Sequence, residues 1–218
     1  MRTKRGKPMP GSRMDVNAIK KWVAILTTPS VAAFEAEKPY VNIAFMISWL
    51  VIGGVVLGLI VRIARVTSLS AEGYNPYQID VIDGGLIRFL ILGAIAFPIE
   101  YLILEGIQLW IARAHGGTGD LITQSYLQST YLVPISIIAG LLSLIPNVGV
   151  LLLALVGIYA LYLTTLALRA AHHLNTRDAV FTWAFAVGGT AIVSFVLLFC
   201  LFWGLMAYIY VTTGHSPI

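Results

Sequence analysis

Long apolar runs separated by short polar segments organise this chain. Five runs approach or exceed the roughly 20 residues that a helix needs to cross a bilayer. They cover residues 41–63, 85–112, 126–145, 148–169 and 179–211. The second and fifth are longer than a membrane requires. Tilt, a kink at Pro98, or a helix projecting into water would absorb the excess, and Gly188 with Gly189 could loosen the fifth run in the same way. The longest internal separator, "TSLSAEGYNPYQIDVID" at residues 67–83, reads as a loop with a turn signal at Asn75-Pro76. Only "PNVG" separates the third run from the fourth, so these two form a tight hairpin. The pattern predicts an all-α integral membrane bundle of five transmembrane helices.

Ahead of the first run, residues 15–40 read as two short helices. Asp15 can cap the first, and Ile19, Trp22, Val23 and Leu26 recur at i, i+3, i+4 and i+7 to make one apolar stripe beside lysines. This stripe predicts an N-terminal amphipathic helix lying in the membrane interface. A packed helix covering the cytoplasmic end of the bundle is compatible with the same pattern. Thr28 and Pro29 read as the N-cap and first-turn proline of the second helix, which Pro39 ends. The expected organisation is a basic tail over 1–14, interfacial helices over 15–40, a membrane domain over 41–211 and a short tail over 212–218.

Composition agrees with a membrane protein. The 218 residues are 58% hydrophobic and 11% charged, with a mean hydropathy of +0.86, whereas soluble domains carry roughly 25% charged residues. Residues 1–21 are polar and basic, so they do not read as a cleavable secretory signal. The single cysteine, Cys200, has no partner in the chain, which rules out an internal disulfide or a cysteine metal cluster. Arg2, Lys4, Arg5, Lys7, Arg13, Lys20 and Lys21 crowd the beginning of the chain. No aromatic interleaving or groove-reading motif accompanies them, which argues against nucleic acid and for anionic lipid headgroups. Five spans with the N-terminus inside place eleven of the fourteen Lys and Arg residues on the cytoplasmic side. The expected topology is therefore a cytoplasmic N-terminus and an external C-terminus. Arg62 and Arg65 oppose it unless they snorkel to headgroups.

The stretch "ARAHGGTGDL" at residues 112–121 tests for a phosphate cradle. A P-loop requires Gly-Lys-Ser/Thr after a strand, but Gly119 is followed by Asp120 and the preceding segment reads as a membrane helix. The glycines read instead as a hinge, in which Gly116 closes the second span and Asp120 caps the third. His115, His172 and His173 share the cytoplasmic side in this topology. Adjacent histidines on a helix point about 100° apart, so a shared metal is disfavoured. His172 and His173 read as a helix end where imidazolium meets the macrodipole, with Asn175 capping the next helix. No metal or cofactor is expected, and no nucleophile sits beside a base, which argues against an enzyme.

Glu100 and Glu105 fall inside the second span, with Gln108 one turn beyond Glu105. Five residues turn a helix by about 140°, so the two carboxyls face different ways. Glu105 is expected near the cytoplasmic interface. Glu100 is expected at mid-span, buried and hydrogen-bonded to Tyr159, Tyr162 or Thr164, or else at the centre of a polar transport path. Gly54 and Gly58 form "GVVLG", a close-approach pattern that serves packing within the bundle or between copies. Trp110, Tyr126, Tyr208 and Tyr210 read as interfacial aromatics.

The order of Gly116, Gly117, Gly119, Pro134, Pro146, Gly149, Tyr159, His172 and Ala179 resembles the bacterial form of the Yip domain family. Trp22, Pro29, Phe34 and Pro39 resemble that family's entry segment, and the likeness covers roughly residues 20–211. The resemblance implies a five-span bundle with a cytoplasmic N-terminus and contacts with lipids, other membrane proteins or itself. A small transporter or lipid-handling protein and an accessory subunit of a larger complex are the competing readings. Eukaryotic relatives act in traffic between endoplasmic reticulum and Golgi through Ypt/Rab GTPases and carry an Asp-Leu-Tyr-Gly-Pro motif. This chain lacks the motif, which argues against a GTPase partner.

Overall fold

The structure, a computed structural model, describes residues 16–145 and 148–213. The basic tail, Asp15, Pro146 and the last five residues lie outside the described residues, as do the side chains of Ile19 and Tyr210. Among the described residues eight α-helices follow in order: α1 (Val16–Thr27), α2 (Val31–Glu37), α3 (Ile43–Ala71), α4 (Pro76–Asp83), α5 (Gly85–Ala114), α6 (Leu121–Ser143), α7 (Gly149–His172) and α8 (Thr176–Thr213). A 3-10 turn at Lys38–Tyr40, with Pro39 in its first turn, separates α2 from α3. Among the described residues, α3, α5, α6 and α7 are long and apolar enough to span a membrane. That is four where the apolar pattern predicts five. The remaining run lies within α8, a 38-residue helix several of whose side chains are outside the described set.

Helix ends follow local chemistry. Ser30 caps α2 through the Ala33 N–H, so the cap falls two residues beyond the expected Thr28, whose hydroxyl instead donates to the Ala24 carbonyl. Asn42 caps α3 through Phe45 N–H. The expected loop at 67–83 is mostly helical: α3 runs on to Ala71, and Asn75-Pro76 opens α4 as N-cap and first residue. Asn75 and Gln78 exchange side-chain and backbone bonds in a capping box. The third span begins at Leu121, five residues before the apolar run, because the polar residues Thr123, Gln124 and Ser125 belong to the helix.

Helix α6 is the centre of the bundle. Every residue from 124 to 131 is buried, and α3, α5, α7 and α1 all pack on it. Leu127, Tyr131 and Val133 meet Met46 and Leu50 of α3 and Leu163, Ala167 and Ala170 of α7 in the main core. A second cluster, Ala112, Leu168, Leu174 and Ala179, holds the start of α8 against the ends of α5 and α7. The entry helices are part of this body. Trp22 stacks on Trp49 with ring centroids 4.1 Å apart, Ile25 is 2% exposed, and Phe34 meets Tyr131 edge-on. Leu26 packs partly buried beside them, whereas Val23 is 53% exposed. The expected stripe is thus split: Trp22 and Leu26 turn inward with Ile25, and Val23 faces away.

Two contacts fix α3, α4 and α5. A Cβ at Gly54 would fall inside the contact shell of the Gly93 carbonyl oxygen, and one at Gly58 would meet the Phe89 carbonyl. The "GVVLG" pattern therefore serves packing of α3 on α5 within the chain. At the far end, the Arg62 guanidinium bonds both Asp83 and Asp80, lies 5.8 Å from the Phe89 ring centre, and is buried. Arg88 donates to the Asp83 carbonyl at 3.0 Å. Arg62 does not snorkel, because two carboxylates from α4 satisfy it inside the protein.

Gly54→Ala and Gly93→Ala should lower the detergent melting temperature and the yield of monodisperse protein, since each drives a methyl group into backbone. Gly106→Ala and Gly157→Ala meet open space and should be neutral or stabilising by up to about 1 kcal/mol. Equal effects at all four sites would refute the close packing of α3 on α5.

Candidate functional site

Polar side chains collect on one side of α5, α6 and α7. The buried positions of α5 include Pro98, Tyr101, Glu105, Gln108 and Ala112, spaced three or four apart and therefore on one face. Gln124, Gln128 and Tyr131 repeat that spacing on α6, and Thr164 and His172 lie two turns apart on α7. All are buried. The bundle closes these faces together.

Gln124 is the junction. Its Nε2 donates to the Glu105 carboxylate oxygen Oε2 at 2.6 Å and to the Glu105 backbone carbonyl at 3.0 Å. Its Oε1 faces His172 Nε2 at 2.6 Å, while His172 Nδ1 accepts from the Gly119 N–H at 3.1 Å. A backbone N–H can only donate, so Nδ1 is unprotonated and Nε2 carries the ring hydrogen. The chain of donors thus runs from Gly119 through His172 and Gln124 to Glu105. Around it, Tyr101 donates to the Ser125 carbonyl at 2.5 Å and Gln128 to Gln108 at 2.6 Å. The Tyr131 hydroxyl reaches Thr164 Oγ1 at 2.8 Å and Gln128 Oε1 at 3.1 Å. Trp183 of α8 donates to Thr165 at 3.0 Å.

The glycine loop is built for this contact. Gly116 has φ of 84° and follows α5, the left-handed conformation that glycine adopts without strain. A Cβ at Gly117 would press on the Ala112 carbonyl and His172 Cβ, and one at Gly119 on the Ala171 carbonyl. Asp120 accepts from the Thr123 N–H at 2.9 Å and its hydroxyl at 2.7 Å, capping α6. Partial burial alone would raise the Asp120 carboxyl, but these bonds hold it below its usual range. Gly116 thus closes α5 and Asp120 caps α6, as the sequence predicts.

Several site expectations change. Glu100 is exposed and absent from the seam, because the buried face passes through Tyr101 and Glu105 and leaves Glu100 about 100° and 140° away. Its expected partners are engaged elsewhere: Tyr159 donates to the Leu26 carbonyl, and Thr164 to the Ala160 carbonyl. Glu105 is fully buried. His172 is a buried, neutral hydrogen-bonding group, while His173 is exposed and takes the left-handed C-cap conformation with φ of 57°. Asn175 caps α8 through the Asp178 N–H at 2.9 Å. Tyr126 is 5% exposed and so is core, whereas Trp110 is 75% exposed. Pro134 lies inside α6, and Pro146 lies outside the described residues. The residues that hydrophobic patterning missed are Tyr101, Gln124, Gln128 and Tyr131, while Thr164, expected beside Glu100, instead joins Tyr131. In a membrane bundle the polar periodicity marks the interior, since lipid and core are both apolar.

An all-helical body with several apolar spans and a polar seam closed between them defines an integral multi-pass membrane protein. The Yip1 domain matches residues 23–199, and the chain belongs to that family. No curated protein and no solved structure matches it.

Gln124→Ala removes the donor to Glu105 and the acceptor for His172, and should destabilise the bundle by about 1–3 kcal/mol for each group left unsatisfied; detergent thermal unfolding measures this. A neutral effect would remove Gln124 from the centre of the seam. Asp120→Ala should cost about 1 kcal/mol as a lost N-cap. Because the folded-state carboxyl sits below its ordinary value, its ionised contribution is present at neutral pH and disappears as pH falls through that depressed value. Melts of wild type and Asp120→Ala should therefore draw together as pH falls below the ordinary carboxylate value of about 3.9, while Asp120→Asn, whose capping acceptor does not titrate, lacks this acid loss.

Proposed function

We propose that this chain is a non-enzymatic membrane component that works through protein contacts made inside the bilayer, along the outer face of α5. The observation that carries this reading is Glu100, exposed at the sixteenth residue of a thirty-residue apolar helix. Around it, Ile87, Ile91, Ile95, Ile99 and Ile103 form an outward ladder, each more than half exposed. Isoleucines suit lipid, but an acidic side chain near mid-membrane costs about 3 kcal/mol even on the mildest scale. Such residues face protein or water. A neighbouring membrane helix that offers a cation or hydrogen-bond donor to Glu100 satisfies it, and a second copy or a larger complex can supply that helix.

The orientation we favour is a cytoplasmic N-terminus and, with α8 as the fifth span, an external C-terminus, in a bacterial inner membrane. The basic bias supports it, and the pairing of Arg62 with Asp80 and Asp83 weakens the strongest counterargument. Anionic lipid meets the N-terminal lysines and arginines; neither nucleic acid nor a GTPase is among the proposed partners.

The test places a photocrosslinking residue at Ile99 or Ile103 in native membranes. Discrete protein adducts are expected, and Glu100→Leu should abolish them while leaving thermal stability within about 0.5 kcal/mol of wild type. Adducts to lipid alone, unchanged by Glu100→Leu, would overturn the contact reading.

A further inference from the structure

Four buried side-chain atoms lack a hydrogen-bond partner among the described residues: Trp49 Nε1, Arg169 Nε, Glu105 Oε1 and Ser125 Oγ. The last two are neighbours on α5 and α6. The Ser125 hydroxyl carries its own hydrogen and can also accept, so it can pair with Glu105 Oε1 in either charge state of the carboxyl. A proton on Glu105 Oε1 would donate to Ser125 Oγ, remove the net charge from a fully buried carboxyl, and leave Oε2 to accept from Gln124. Among the described residues no lysine or arginine bonds this fully buried carboxyl, so a proton is the cation that this geometry accommodates.

The other end of the relay has the opposite bias. His172 Nδ1 accepts from Gly119 N–H, and its Nε2 donates to Gln124. Protonation of Nδ1 would set two donors against each other and break the Gly119 contact, leaving the Thr118 N–H to the His172 carbonyl at 3.3 Å as the loop's remaining backbone bond to α7. The charged and titratable groups facing His172 are Arg113 at the end of α5, Lys38 in the 3-10 turn, Asp120 in the loop and His173 on α7 itself. Glu105 stands beyond Gln124, with Tyr101 and Tyr131 on its own far side. Asp120 is spent on the cap of α6, so it does not hold an imidazolium in place of Gly119.

We propose that Glu105 and His172, bridged by Gln124, form a proton-binding relay whose loading sets the position of the loop at residues 116–120. With one proton, on Glu105 Oε1, the relay is closed and Gly119 is tied to α7. A second proton, taken from water at the loop onto His172 Nδ1, displaces the Gly119 N–H and loosens the loop, which then keeps only the Thr118 backbone bond to the His172 carbonyl. The site binds protons, and its output is a movement of the connection between α5 and α6.

Two measurements in lipid nanodiscs test this. Infrared spectra of the full chain with ¹³C-glutamate should contain a protonated-carboxyl band at neutral pH that Glu105→Gln loses and Glu100→Gln keeps. If Glu105→Gln fails to fold, the variant retaining Glu105 as its only glutamate must keep the band. For the loop, a protein in which the other three histidines are asparagine isolates His172 for ¹⁵N spectroscopy. The Nε2–H tautomer is expected at neutral pH, and hydrogen exchange at residues 116–120, relative to intrinsic rates, should rise severalfold on acidification in step with the appearance of imidazolium His172 in the same ¹⁵N spectra. Absence of a Glu105 acid band, an Nδ1–H tautomer, or loop exchange that does not follow the His172 titration would each overturn the relay.

Discussion

The amide of Gln124 holds the interior of this protein together. It touches a carboxyl on α5 and an imidazole on α7 while sitting on the helix between them. In a low-dielectric interior such bonds are stronger than in water, and a group left without one is correspondingly expensive. The arrangement is also directional. Gly119 donates, His172 passes the polarity on, and Gln124 hands it to Glu105, so a change in protonation at either end must reverse or break a contact. The same bonds that specify how α5, α6 and α7 meet therefore make the seam sensitive to protons.

Association of helices in lipid lacks the hydrophobic drive that assembles a soluble core, because acyl chains are as apolar as leucine. Two devices replace it here, at different places. Along α3 and α5, glycines at 54, 58 and 93 bring backbones into contact and gain dispersion over a long stretch. Around α6, polar side chains supply direction. The Arg62 pairing with Asp80 and Asp83 adds a third tie, holding α4 down on the end of α3. Glycine contact tolerates sliding, whereas the polar seam and the Arg62 tie each fix a register.

Much of the architecture was readable from the chain. Four of the five apolar runs coincide with helices long and apolar enough to span a membrane, and Asp120 and Asn175 were recognisable caps. The faces of the helices were not readable in the same way. Exposed isoleucine ladders and buried core leucines obey one period, so Val23 and Trp22 looked equivalent although one points out and the other in. Within apolar runs the useful signal was polar spacing: Tyr101, Glu105 and Gln108 on one helix match Gln124, Gln128 and Tyr131 on the next. The Arg62 pairing was hidden because residues 67–83 contain no long apolar run, and a capping box of only two side chains turns part of that segment into α4.

The two glutamates of α5 divide the protein's chemistry between its inside and its outside. A single helix of 3.6 residues per turn cannot present positions five apart to the same neighbour. Once Tyr101 and Gln108 commit their face to α6, Glu105 goes with them and Glu100 is turned away. The inner carboxyl is surrounded by amides and hydroxyls of the same chain, which can satisfy a neutral acid but provide no cation to an ionised one. The outer carboxyl sits exposed among exposed isoleucines. Both consequences follow from one choice of helix face. Changing which side of α5 packs on α6 would exchange a proton site for a contact site without altering a residue.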